Sequence, residues 1–477
     1  MDIIKVLKEL TDHNLIFDRL FSPEALEKVF IEKFSGSLSK GVDRLSGPRF
    51  KSGDYRNQLR IASEKCINGV YRFSPYLEVL KLKGRRKVPR VISVPTIRDR
   101  VVLYQLNRYI ADIFQFLGVV GGFARQHISE IIGDLTAMND IGDTYIYRTD
   151  IKLFYDSIGR SELLSVLARS IECQRAICLI SHALLTPTVP SGCKRTEYQK
   201  HKLGVGVPQG LAISNILASI YMKGVDEEMK GLGVRYYRYV DDVLIFGKFD
   251  EVVSARDRFK ALLDYLKLEL HTDDSEKSAF KKATDPFEYL GYSFRLPKLI
   301  SVRDSSKEKF LRSLVGKFSE YIHNKDRKLK SFAYLDEVRL KEAFLLELND
   351  LITGALAKSM CYGWVAYFCK INDMKVLSDI DRTIARMFGR LTDFDRKAPP
   401  GLKTVRRAYF EMRYSPEGGY IRNYDKIKTC PEKIKFLEQR GQIAPEERLT
   451  DEQIDSRFNA YVRRSLLYMS RSEGGVY

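Results

Sequence analysis

Apolar residues along this chain change their spacing several times, and each change predicts an element. Val101, Val102, Gln105, Leu106 and Tyr109 follow a helical spacing. Thr144-Tyr145-Ile146-Tyr147-Arg148-Thr149 is β-branched and aromatic and predicts a strand that stops at Asp150. Residues 161 to 172 read as a helix. Ile213, Ile216, Leu217, Ile220 and Tyr221 recur at i, i+3, i+4, i+7 and i+8, one apolar helix face. Two short β-like runs follow, Arg235 to Val240 and Val243 to Phe246, separated only by Asp241-Asp242. That is a hairpin whose tip carries two carboxylates.

The pattern beyond residue 300 is helical. Phe310, Leu311, Leu314, Phe318, Tyr321 and Ile322 form one stripe, and Phe344, Leu345, Leu348 and Ile352 another. Ala398-Pro399-Pro400-Gly401 breaks the chain. Near the two ends, Ser22-Pro23 opens a helix with proline as its first residue, and Thr450 with Gln453 fits a capping box.

Composition narrows the class. A folded chain of 477 residues, 44% hydrophobic, is too long for one simple core and predicts about two or three packed units. The formal net charge of +18 suits a polyanionic partner, although a basic enzyme without nucleic acid would look the same. The seven cysteines show no paired C-x-x-C and the six histidines do not cluster with them, which argues for reduced thiols and against a zinc site. The first residues do not read as a secretory leader, and no stretch approaches the roughly 20 apolar residues of a membrane span. The expectation is a cytoplasmic protein with no membrane partner.

Two adjacent anions at a hairpin tip repel each other, and a divalent cation relieves the repulsion. Mg²⁺ takes hard oxygen ligands and leaves positions open for phosphate oxygens. A third carboxylate at the end of another strand, Asp150, would complete a site for two ions, of the kind that activate a 3′-hydroxyl and stabilise leaving pyrophosphate. Taken alone, Asp241-Asp242 is also ordinary turn chemistry.

The neighbouring segments change that balance. Tyr239-Val240-Asp241-Asp242 resembles the Tyr-x-Asp-Asp box of the reverse transcriptases, and Gly206-Val207-Pro208-Gln209-Gly210 resembles their Gly-x-Pro-Gln-Gly segment. Asp150 to Ile158 is similar to the first-aspartate motif of the prokaryotic branch. Arg90 to Arg100 is similar to the fingers motif of group II intron and retron enzymes. Glu276-Lys277-Ser278 and Tyr289-Leu290-Gly291-Tyr292 resemble the next two boxes, all in the family's order over roughly residues 40 to 295.

The resemblance implies roles. Asp150, Asp241, Asp242 and Ile151 would hold two Mg²⁺ ions, with Mn²⁺ as a substitute. Tyr155, five residues after Asp150, would be an aromatic gate against the ribose 2′-hydroxyl, with an ordinary core aromatic as the alternative. Gln209 would bond the template-side sugar or base, and Tyr239 would line the nucleotide site. Arg90, with Lys81, Lys83 or Arg98, would contact triphosphate. Lys277 would protonate departing pyrophosphate, against the alternative of a surface lysine.

The expected fold is α+β: a right-hand polymerase with fingers and an antiparallel palm sheet over 1–295, a helical thumb over 296–391 and a basic, aromatic extension over 392–477. The expected reaction is RNA-directed addition of dNTPs to a 3′-hydroxyl, yielding nascent DNA. The overall resemblance is to bacterial defence-associated enzymes, which implies a partner non-coding RNA as template, anti-phage function and, in some members, a homo-oligomer. Rivals are template-independent terminal-transferase synthesis, a retron-type enzyme and a non-catalytic RNA-binding scaffold. Arg406, Arg407, Tyr409, Phe410, Arg413, Tyr414, Tyr420, Arg422 and Tyr424 interleave cations with rings that could stack unpaired bases, or pack the extension onto the thumb or a second subunit. Tyr477, after Gly474-Gly475-Val476, could in principle prime synthesis, a role terminal tyrosines rarely have.

Overall fold

A computed structural model of the chain describes residues 12–82, 88–115, 124–138, 140–201, 204–272 and 278–472. Lys83, Lys277 and residues 474–477 lie outside them. The chain forms two compact units, one of residues 1–122 and 144–281, the other of 123–143 and 282–477. Both mix helices with small sheets, the α+β class expected. Among the described residues, no helix is long and apolar enough to cross a membrane.

In the first unit, strands β1 (Tyr76–Lys81) and β2 (Arg90–Val94) pair antiparallel, and β4 (Thr188–Val189) adds to β1 in parallel. Lys81 at the end of β1 pairs with Arg90 at the start of β2, so two cations face each other across this sheet. A four-stranded sheet has the order β5 (Arg235–Tyr239), β6 (Asp242–Gly247), β3 (Tyr145–Asp150), β7 (Ala279–Lys282). Tyr147, Val243 and Ile245 point from one face of it into the apolar core of the helices Ile97–Gln115, Arg160–Ser170, Gln174–Leu185, Ser214–Tyr221 and Phe249–Tyr265. The Ser22 side chain caps its helix by accepting from Ala25 N–H at 3.2 Å, with Pro23 in the first turn, as the sequence predicted.

The second unit begins its main run with a three-strand meander, β8 (Phe287–Tyr289), β9 (Tyr292–Arg295) and β10 (Leu299–Val302). The helices Asp304–Ser331 and Glu337–Thr353 follow. Their aromatic stripes meet: Phe318 and Tyr321 pack on Phe344, and Phe310 stacks on Trp364 with ring centroids 4.8 Å apart. Ile322 departs from the stripe and is 49% exposed, because the helix face turns to solvent there. A second departure is a small sheet of β11 (Ala355–Ala357), β12 (Met360–Tyr362) and β13 (Arg422–Asn423) inside a region read as helical. Strands of two or three residues have no periodicity to detect. The last helix, Asp451–Ser472, carries the expected capping box: Thr450 N–H donates to Gln453 Oε1 at 3.0 Å, and Gln453 N–H to Thr450 Oγ1 at 3.3 Å.

Candidate active site

The hairpin is tighter than its sequence suggested. Tyr239 pairs directly with Asp242, so the two turn residues are Val240 and Asp241, and Asp242 opens β6. A two-residue connection of this kind needs left-handed backbone, and Val240 supplies it at φ +60°. The reading of both aspartates at the tip is corrected by one residue.

Register then brings the third carboxylate in. Asp150 on β3 lies directly opposite Asp242 on β6. Opposed residues of an antiparallel pair have Cα atoms about 4.5–5.5 Å apart and side chains on the same face. Ile151 N–H donates to the Asp241 carbonyl at 3.1 Å, which ties the turn to the end of β3. The Asp150 carboxylate is 17% exposed and its Oδ1 lies 3.2 Å from His271 Nε2. His271 had no place in the sequence reading, since no motif marks it; the bridge between Ile151 and Leu270 carries it there.

The donors at this sheet end are carboxylates and carbonyls, the hard set that suits a divalent cation such as Mg²⁺. Among the described residues, no three His, Cys, Asp or Glu side chains are gathered closely enough to hold one ion together. The fit is therefore one of donor chemistry and shared face, with Asp150 and Asp242 paired and Asp241 on the adjoining turn.

Other expected residues converge on the same end. Tyr155 is 8% exposed and its hydroxyl donates to Asn215 Oδ1 at 2.6 Å. Burial pushes that hydroxyl's pKa up, the Asp241 and Tyr239 charges add to the rise, and the Arg90 and Arg238 charges oppose it. Arg90, Tyr239 and Asp241 thus each lie within electrostatic reach of Tyr155. Gln209 sits beside them, its amide donating to Asp156 Oδ1 at 3.1 Å and Oδ2 at 3.3 Å.

The loop carrying Gln209 is threaded between two backbones. Val207 N–H donates to the Tyr155 carbonyl at 2.7 Å, and Ser93 N–H to the Gln209 carbonyl at 2.7 Å. Gly206 at φ +85° would place a Cβ 2.8 Å from the Asp156 carbonyl oxygen, so only glycine fits.

Arg98 belongs to a different group. Its guanidinium lies 3.7 Å from Asp99, donates to Ser74 Oγ at 3.2 Å and sits over the Tyr71 ring. In the extension, Tyr409 and Tyr424 are buried at 2% and 4% exposure, which corrects their reading as stacking surfaces: their rings fill the core. Phe410 and Tyr414 are the exposed pair, 42% and 70%, flanked by Arg406 and Arg413. A cleft of about 440 Å³ lies beside Phe410, Arg406 and Arg407.

This geometry coincides with a family match. Residues 81–294, a little under half of the chain, match the model of the reverse transcriptase (RNA-dependent DNA polymerase) family. Among curated relatives, an uncharacterized 91 kDa protein in a cob intron of Schizosaccharomyces pombe is 37% identical across 34% of this chain and 20% of its own length. The group II intron-encoded protein LtrA of Lactococcus lactis subsp. cremoris is 21% identical across 81% of this chain and 78% of its own. The chain thus spans a fifth of the first relative and over three quarters of the second. Among solved structures, apo telomerase from Candida tropicalis is 13% identical with a TM-score of 0.40, covering 81% of this chain and 69% of that one. A telomerase from Candida albicans in complex with a fragment of telomeric RNA is 12% identical with a TM-score of 0.40, over 68% and 64%.

Proposed function

We propose that this chain is an RNA-directed DNA polymerase that adds dNTPs to a 3′-hydroxyl. The observation that carries the reading is the opposition of Asp150 and Asp242 across two strands, with Asp241 on the turn between Tyr239 and Asp242. Asp150, Asp241, Asp242 and the Ile151 carbonyl would hold two divalent ions, Mg²⁺ or in its place Mn²⁺. When bound, these supply positive charge where the attacking and leaving oxygens become negative.

The chain's own residues do the positioning. The Tyr155 ring, fixed through Asn215, would lie under the sugar and exclude a 2′-hydroxyl. Arg90 would neutralise triphosphate charge, and Lys277 would donate the proton to pyrophosphate. Gln209, already held by Asp156, would set the template side of the nucleotide pocket. Arg98 would act at most through the fingers cluster that holds it. In this reading residues 1–295 are fingers and palm, 296–391 the thumb and 392–477 an extension whose exposed Phe410 and Tyr414 contact unpaired bases.

The finer assignment is to a bacterial anti-phage enzyme that copies a partner non-coding RNA in the cytoplasm, supported by the motif resemblance over residues 40 to 295. The test is primer extension by the purified chain on an RNA template, with its product sequenced against the RNA that copurifies. Complementary DNA supports the reading; low-complexity DNA unrelated to any template replaces it with terminal-transferase synthesis. Phage plating with and without Asp241→Asn then tests the defence role, which fails if the variant protects fully.

A further inference from the structure

A β-branched residue in left-handed backbone does not stay there unaided, and Val240 at φ +60° is such a residue. Two hydrogen bonds hold its turn. Ile151 N–H takes the Asp241 carbonyl, as described. The carbonyl one residue earlier, on Val240, accepts from Arg238 Nη1 at 2.8 Å.

Arg238 reaches that carbonyl from the far side of the sheet. It pairs with Val243 and shares a face with Tyr236, whereas Tyr239 pairs with Asp242 on the other face. Its side chain is 6% exposed among the apolar residues beneath the sheet. Asp226, on the helix Lys223–Lys230, makes the placement tolerable. Arg238 Nε donates to Asp226 Oδ1 at 2.7 Å, Nη2 donates to Oδ2, and the Tyr236 hydroxyl donates to Oδ1 at 2.8 Å. The two-point pairing fixes the plane of the guanidinium, and its remaining edge meets the turn.

A buried ion pair adds little stability over an apolar pair of equal volume. What the guanidinium does that a methionine could not is donate to the Val240 carbonyl. With two successive carbonyls pinned, from Arg238 and from Ile151, the peptide that carries Asp241 has little freedom to rotate.

We propose that Asp226 and Arg238 are positioning residues. They form a buried brace behind the sheet that holds the Val240–Asp241 turn and so aims the Asp241 carboxylate toward the face that Asp150 and Asp242 share. The proposal rests on the polymerase reading of this site, and neither residue touches substrate.

The decisive variant is the double substitution Asp226→Leu, Arg238→Met, which keeps the core filled and deletes the brace. Circular dichroism and the thermal midpoint should stay near those of the unaltered chain. The kcat for primer extension should fall about tenfold or more, KM for dNTP should change little, and Mn²⁺ binding followed by electron paramagnetic resonance should weaken. Adding Val240→Gly, which adopts positive φ without strain, should restore part of both kcat and Mn²⁺ affinity. Should the double variant not fold, Arg238→Lys replaces it, since an ammonium keeps the charge beside Asp226 and has no second arm for the carbonyl; the same losses are expected.

A folded double variant with undiminished kcat and Mn²⁺ affinity overturns the brace, as does a Val240→Gly addition that recovers nothing. An unaltered chain that binds Mn²⁺ through Asp241 yet polymerises nothing overturns the polymerase reading instead, and the Mn²⁺ comparison still judges the brace.

Discussion

Arg238 in the first unit and Arg440 in the second are both buried, and both face an aspartate, yet their surroundings differ in kind. Arg238 directs its donors to the Asp226 carboxylate and to one backbone carbonyl. Arg440 donates from Nη2 to Asp350 Oδ2 at 2.7 Å, while its Nε and Nη1 are buried without a hydrogen-bond partner. Its guanidinium lies 3.8 Å from the centroid of the Phe436 ring. An unsatisfied buried donor costs about 1–3 kcal/mol, and a desolvated cation–π stack returns about 2 kcal/mol. Stacking tolerates sliding and rotation; a hydrogen bond to a carbonyl does not. The same side chain therefore fixes a backbone direction in one unit and glues a helix junction in the other.

The largest effect expected from this contrast is on chemistry. Asp241→Asn should lower primer extension on the order of a thousandfold while leaving the thermal midpoint in place; an active variant would remove the hairpin from the reaction. Next is Asp350→Ala, which leaves Arg440 and the nearby Arg422, 3.6 Å from the same carboxylate, without their anion. Urea unfolding should report a loss of about 3–5 kcal/mol, and a loss below about 1 kcal/mol would mean that stacking alone carries Arg440.

Tyr155→Val should reduce discrimination against rNTPs about tenfold, read as the ratio of kcat/KM for dNTP and rNTP. An unchanged ratio would return Tyr155 to the role of a core aromatic. Thr450→Ala removes one half of a capping box and should cost about 1 kcal/mol in the second unit. Smallest of all is the double substitution Asp350→Leu, Arg440→Met, for which the stability change should be near zero or favourable with full activity retained. A large activity loss there would erase the distinction from Arg238.

Much of the first unit was legible because its chemistry sits in short contiguous segments. Tyr239 to Asp242 reads as a hairpin from four residues, and Gly206 with Gly210 marks a loop pressed between backbones. The brace was illegible for a physical reason. Arg238 alternates with apolar neighbours in a strand, the pattern of a solvent-facing residue, and its partner Asp226 lies on a helix that gives no hint of which way it faces. Burial, which sequence does not carry, is what separates the two cases. The extension failed similarly: arginine–tyrosine interleaving looked alike throughout, but Tyr409 donates to the Ile371 carbonyl at 2.5 Å inside the core while Tyr414 stands outside. Strand β1, Tyr76-Leu77-Glu78-Val79-Leu80-Lys81, escaped because a short apolar run reads equally well as helix, and the strands near residue 355 because two or three residues show no period.

The pairing of β3 with β6 has a consequence for how this chain tolerates insertions. Side chains alternate across a strand, so one residue added between Tyr145 and Asp150 would send the Asp150 carboxyl to the opposite side of the sheet and drive Ile146 or Tyr147 out of its packing. Two added residues would restore the parity yet overshoot the end of β6. Length changes in this strand therefore have no mild version: parity and reach must both be right before any ion can be shared.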